Sequence, residues 1–169
     1  MDTFFEQLVA IKKDFKTIFL FAVIWLFALL IIAFLLITFL LGGITILAVF
    51  GIGYGAFKLS SLLNIEYEYI ITNGILDVDK IINKNSRKRL LSLDLRTVTR
   101  LEKHNPSITE NINKKLLTFA CNKDDENALF LLAETEGKSS SYLVFSPDER
   151  MRSAMQKYVP KFIGNSILK

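Results

Sequence analysis

Residues 17–57 contain no Asp, Glu, Lys, Arg or His, a run of 41 residues in a chain of 169. Nothing else in the sequence restricts the fold so tightly. As a helix rising about 1.5 Å per residue, the run would extend roughly 60 Å, twice the roughly 30 Å of a bilayer's hydrocarbon core. Tilt does not absorb a doubled length. Gly42-Gly43, near the middle, supplies the backbone freedom that a reversal needs. The run therefore predicts a transmembrane hairpin over residues 18–63, with spans at about 18–41 and 44–63. So short a link makes the two helices antiparallel neighbours. The competing reading is one long tilted span with residues 51–55 at the interface. A secretory signal peptide does not fit, because its apolar core runs only about 7–15 residues before a small-residue cleavage site.

The flanking cations orient the hairpin. Lys12, Lys13 and Lys16 precede the first span, Lys58 lies at the far end of the second, and the Gly42-Gly43 turn carries none. Lys and Arg are retained on the cytoplasmic side, so both termini are expected in the cytoplasm, in a multi-pass protein of the plasma membrane. The run has no ionisable residue from which an ion pathway, a proton relay or a voltage sensor could be built. Gly51-Ile52-Gly53-Tyr54-Gly55 is no nucleotide loop, since it follows no strand and sits in the apolar run. Gly51 and Gly55, four residues apart, share a helical face that admits close approach by the first span or by a second copy of the chain. Trp25 and Tyr54 are candidate anchors at the membrane interface. Residues 1–17 read as an amphipathic interfacial lead-in, with Phe4, Phe5, Leu8, Ile11 and Phe15 at three- and four-residue steps.

After residue 64 the apolar period changes from the helical to the alternating kind. Tyr67, Tyr69 and Ile71 alternate with Glu66 and Glu68; Asn73-Gly74 follows, and then Leu76 and Val78 alternate with Asp77 and Asp79. This predicts a hairpin with a tight turn at Asn73-Gly74. Further strands are predicted over residues 89–95, 98–103, 116–121, 128–134 and 140–145. The breaks between them fall at 83–86, 104–106, 122–127 and 136–138, and residues 107–115 read as a loop or are left ambiguous. Ser146, Pro147, Asp148 and Glu149 then open an amphipathic helix, with Ser146 as the N-cap. Its apolar stripe is Met151, Ala154, Met155, Tyr158 and Phe162, and Pro160 cuts or bends it. The fold class is α+β: a two-helix transmembrane hairpin, then a cytoplasmic domain at residues 64–169. That domain is expected to be a seven-stranded antiparallel barrel or curled sheet capped by the C-terminal helix.

Seven strands and a C-terminal helix is the element order of the pleckstrin-homology (PH) fold. The runs YEYIITNGIL at residues 67–76 and RLLSLDLRTV at residues 89–98 resemble bacterial PH-like domains that adjoin paired transmembrane helices. The layout is also similar to that of a group of short Firmicute membrane proteins with two N-terminal transmembrane helices. The resemblance covers residues 67 to about 158. It implies a binding or assembly scaffold and carries no catalytic residues.

Lys80, Lys84, Arg87, Lys88 and Arg89 cluster between the second and third expected strands. Three readings are open for them: a solvated loop, contact with anionic lipid headgroups, or a specific phosphate ligand. Asp124, Asp125 and Glu126 are consecutive acids, whose side chains point in different directions and rarely converge on one metal ion; a solvated turn is expected there. His104 lacks an assignable carboxylate or nucleophile partner. Cys121 shares a strand face with Leu117 and Phe119 and reads as a small core residue. No hydrolase elbow, P-loop or cysteine pair is present, so no catalytic residue, metal site or cofactor is expected. A net charge of +4 with interspersed acids is too weak a field to indicate nucleic acid. The expected function is that of a non-enzymatic membrane protein whose PH-like domain binds at the inner membrane surface. Its partners would be the bilayer, anionic lipid, an unidentified protein or another copy of itself. The rival is a subunit of a membrane enzyme or transporter whose chemistry another chain completes.

Overall fold

A computed structural model of the chain describes residues 4–38, 42–110, 112–113, 116–134 and 140–164. The expected break at 136–138 and the end of the first span at 39–41 lie outside these. The chain divides into two compact units. One comprises Met1–Ile11, Glu66–Ile81 and Ser86–Lys169, and the other Lys12–Ile65 with Ile82–Asn85.

The second unit is helical. Helix α1 (Phe15–Thr38) leads through a 3₁₀ turn at Gly42–Ile44 into helix α2 (Thr45–Ser61). Gly42 has φ +54°, the left-handed conformation that glycine adopts without a Cβ penalty. Both helices, the second counted from Gly42, are long and apolar enough to cross a membrane, with mean hydropathies of 3.2 and 1.5. Helix α1 buries only Ala28 and, after Lys16, presents apolar residues on every face. A groove between the helices is lined by Val23, Phe27 and Ala28 of α1 and by Gly55, Ala56 and Leu59 of α2. The early part of α1 thus faces the late part of α2, as an antiparallel pair requires. Ser60 and Ser61 return their hydroxyls to the carbonyls of Phe57 and Lys58, which satisfies them within the last turn.

Among the described residues the other unit holds eight strands in two sheets, where the sequence predicts seven antiparallel strands. Strands β1 (Phe4–Ala10), β2 (Ile65–Thr72), β3 (Ile75–Ile82) and β4 (Ser86–Asp94) form the first sheet in that order. The second sheet has the order β5 (Val98–Lys103), β7 (Leu129–Ala133), β8 (Ser141–Phe145), β6 (Leu117–Phe119). Its β6 runs parallel to β8, a further departure from the all-antiparallel expectation. A short helix, α3 (Pro106–Thr109), occupies part of the ambiguous segment, with Asn105 accepting the Ser107 N–H at its start.

The extra strand is the lead-in. Phe4–Ala10 does not form an interfacial helix; it pairs antiparallel with β2 over seven residues, from Phe4 opposite Thr72 to Ala10 opposite Glu66. Phe5 and Val9 turn inward against the core while Phe4, Glu6 and Leu8 face outward. The apolar residues of this segment suit a three- to four-residue period and an alternating one equally. Pairing with a distant strand decides between them.

One core lies between the sheets. Tyr69 and Ile71 of β2, Leu76 and Val78 of β3, Leu131 of β7 and Phe145 of β8 are fully buried in it. Helix α4 (Glu149–Gln156) closes it with Met151, Ala154 and Met155. Tyr69 donates its hydroxyl to the Ala120 carbonyl and accepts the Ser146 N–H at 3.3 Å, while its ring meets Phe145 edge-on at 5.5 Å. A smaller cluster around Cys121, Phe130 and Val144 fills the opposite face of the second sheet. The N-cap of α4 is Asp148, not Ser146: its carboxylate accepts the Met151 N–H at 2.7 Å. Ser146 has its N–H engaged by Tyr69 and its carbonyl by Gln7, so the helix can open only two residues later. Helix α4 stops at Gln156, before Pro160, and Phe162 is left 84% exposed; Ile163 in the short helix α5 (Lys161–Gly164) is buried in its place.

Candidate functional site

The five basic residues singled out from the sequence have different local surroundings. Asn83 and Lys84, between β3 and β4, have φ of +53° and +56°, and the Asn85 N–H returns to the Ile82 carbonyl at 3.2 Å. Two consecutive left-handed residues make the tight hairpin turn that matches strand twist. Asparagine suits this conformation. Lysine does not, because its Cβ crowds the carbonyl at a cost of about 1–2 kcal/mol. The Asn83 N–H donates to the Asn64 carbonyl at 2.8 Å, just beyond the end of α2. The turn therefore belongs to the helical unit, and it takes Lys84 with it.

Arg87 and Arg89 of β4 belong to the other unit and are engaged in ion pairs. Arg87 Nη2 meets Glu68 Oε1 at 2.8 Å; Arg89 meets Asp77 Oδ2 at 3.1 Å and Asp79 Oδ1 at 3.0 Å. Glu68 and Asp79 are only 2% and 3% exposed although they alternate with core residues. Buried carboxylates require such partners. Hydrogen bonding to Asp79, with the Asp77 charge beside it, pushes the Arg89 guanidinium further up. Burial raises the Glu68 carboxyl above its ordinary value; Arg87 opposes this, and a hydrogen bond with the Glu6 carboxyl and the charge of Asp79 add to it. Glu68 Oε2 and Asp77 Oδ1 are buried without a donor among the described residues. Lys88 is exposed, Lys80 is half-buried on β3, and neither forms an ion pair among the described residues.

A polar concavity lies elsewhere, and its residues are scattered along the sequence. Gln7 of β1, Asp125, Asn127, Ser146, Asp148 and Arg152 line a pocket of about 380 Å³ at the start of α4. Gln7 donates to the Ser146 carbonyl at 3.0 Å and accepts the Asp148 N–H at 2.9 Å. Arg152 is spread between the carbonyls of Pro147 and Asn127 at 3.1 and 3.0 Å. In the sequence only the cap signal at residues 146–149 and the turn acid Asp125 pointed there. The pocket's polar groups are largely engaged with one another, so it braces β1 against α4.

The remaining candidates have local explanations. Asp125 accepts the Asn127 N–H at 2.9 Å within its own turn. His104 packs edge-on against Phe119 at 5.7 Å, and burial lowers its pKa. Burial pushes the Cys121 thiol up to about 12. A Cβ added at Gly51 or Gly55 would meet no atom within 4 Å, so neither glycine is the close contact of the hairpin; Ala28 and Ala56 are the buried small residues there.

The family described as bacterial PH-like domain (DUF6106) matches residues 1–164. The chain belongs to this family. No curated protein and no solved structure matches it. The match runs from β1 through both apolar helices to α5, so in this bacterial PH-like domain the lead-in strand and the helices are part of the family's own unit. Membership makes a binding or assembly module the broad functional class.

Proposed function

We propose that the protein is a non-enzymatic binding or assembly module held at the inner face of the plasma membrane by a two-helix hairpin. The observation that carries this reading is the β1–β2 ladder. Seven residues before α1 pair with residues directly after α2, so the segments flanking the two apolar helices belong to one sheet. Strands that pair cannot lie on opposite sides of a bilayer, which favours two crossings over one. The lysines near those segments favour the cytoplasmic side. Only residues 62–64 separate α2 from β2 along the chain.

A binding role is supported by how the ionisable groups are used. Arg87 and Arg89 neutralise buried acids, His104 packs on Phe119, and Asp125 closes a turn. None of these arrangements pairs a nucleophile with a base. The topology is tested by single cysteines at Gly43 and Lys88, on a Cys121→Ser background, probed with a membrane-impermeant maleimide. In intact cells only the Gly43 cysteine should label; in inverted vesicles only the Lys88 cysteine. The binding role is tested by cross-linking the full chain in native membranes. Discrete adducts carrying a partner or a second copy are expected, and a chain that stays entirely monomeric would overturn it.

A further inference from the structure

We propose that the lysine-bearing end of the helical unit binds the phosphate of an anionic lipid headgroup, and that the β3–β4 turn exists in its present form to deliver Lys84 to that site. The inference rests on the hairpin topology proposed above and assigns the ligand class. It begins with the distribution of charge. The helical unit contains Lys12, Lys13, Lys16, Lys58 and Lys84 against one carboxylate, Asp14. Its formal charge of +4 is the whole excess of the chain, because the other unit's 16 Lys+Arg and 16 Asp+Glu cancel.

All five lysines lie at one end. Lys12, Lys13 and Lys16 bracket the start of α1, Lys58 is in the last turn of α2, and the antiparallel packing brings these ends together. Lys84 joins them through the bond from the Asn83 N–H to the Asn64 carbonyl. The Gly42–Ile44 end carries no charge. Two apolar helices, a cationic collar at one end and none at the other match a lipid whose tails lie along the helices and whose phosphate meets the collar.

Lys84 is the member that chain orientation alone does not explain. It is remote in sequence from both helices and occupies a left-handed position. The same sheet contains a control. The β2–β3 turn, Asn73-Gly74, has φ of +52° and +92° and places glycine where the β3–β4 turn places lysine. A turn that served only to reverse the chain would be better made with glycine. Lysine there retains a strained backbone and supplies a cation in the turn that Asn83 ties to Asn64. Lys84 forms no ion pair among the described residues, so its ammonium is available.

The test uses the full chain in mild detergent, with bound lipid counted by native mass spectrometry. The probes are phosphatidylglycerol, phosphatidylcholine and inorganic phosphate. Phosphatidylglycerol should be retained in preference to phosphatidylcholine, and the preference should shrink as salt rises. Lys84→Asn keeps a residue suited to the left-handed turn and removes the charge; it should weaken retention about fivefold, the effect of one lysine near an anionic surface. Lys84→Arg should retain the preference, and Lys88→Asn, in the other unit, should leave it unchanged. Equal retention of the two lipids, or a Lys84→Asn chain indistinguishable from the parent, would overturn the site. Displacement of phosphatidylglycerol by inorganic phosphate would overturn the headgroup assignment in favour of a free anion. The Gly43 and Lys88 labelling pattern separates these failures from a failure of the topology itself.

Discussion

Ala10 and Glu66 stand opposite each other at the end of the β1–β2 ladder, although residues 11–65, including both apolar helices, separate them in sequence. The helical hairpin is thus an insertion, along the chain, between two paired strands. Phe5 and Val9 add β1 to the shared core, while Gln7 ties it to the Ser146–Asp148 backbone. Removing β1 would uncover one side of that core.

Val9→Asp puts a carboxylate against the core, beside its cross-strand partner Tyr67. Burial of an unpaired polar group predicts a loss of about 1–3 kcal/mol. Urea unfolding of the full chain in detergent should show a lower midpoint. A midpoint equal to the parent's would mean that β1 does not contribute to the core.

The turn at Asn73-Gly74 gives a second prediction, because two separate penalties meet at one atom. Gly74 has φ +92°, and a Cβ there would lie 2.8 Å from Tyr158 Cδ1. Gly74→Ala should therefore lose about 1–3 kcal/mol from backbone strain, and more from the collision. Adding Tyr158→Ala should recover the collision but not the strain. The double variant should accordingly be less destabilised than the sum of the two single ones, as a denaturation cycle would reveal.

These contacts also mark how far the sequence could be read. The alternation at residues 66–79 and the Asn-Gly pair between them made β2, β3 and their turn legible, since both signals are local. The apolar run made the helices legible by length alone. Strand β1 was not legible, because Phe4, Phe5, Leu8 and Val9 satisfy two periods and the deciding partner lies beyond the helices. The ion pairs of Arg87 and Arg89 depend on strand pairing, so nothing in the run of bases itself marked which of them were engaged. Nothing local distinguishes Lys84 from any other loop lysine; its backbone conformation and the tie of the neighbouring Asn83 to Asn64 emerge only when the strands are in register.

The division of that basic run is testable by comparing neighbours. Arg89→Gln leaves Asp77 and the buried Asp79 without their shared cation, so the melting temperature should fall. Lys88→Gln removes an exposed charge of the same sign one residue away, and the melting temperature should hold. Equal effects from the two substitutions would mean that the pairs seen for Arg89 do not form in solution.

The Glu68 carboxyl predicts how stability responds to pH. Its value in the fold is raised above the ordinary 4.5, chiefly by burial, so the folded chain holds its proton more tightly than the unfolded chain does. A group shifted in this direction contributes stability when protonated, at pH below the unfolded value, and loses it as pH rises through the folded value. Stability should therefore decline on going upward from about pH 4.5, before His104, whose pKa burial lowers, is considered. Glu68→Gln keeps a similar shape but cannot ionise, so it should flatten this decline. Melting curves of the parent and the Gln variant, taken at half-unit steps of pH, should converge at the acid end and separate above it. Parallel curves across the range would show that Glu68 does not carry the dependence.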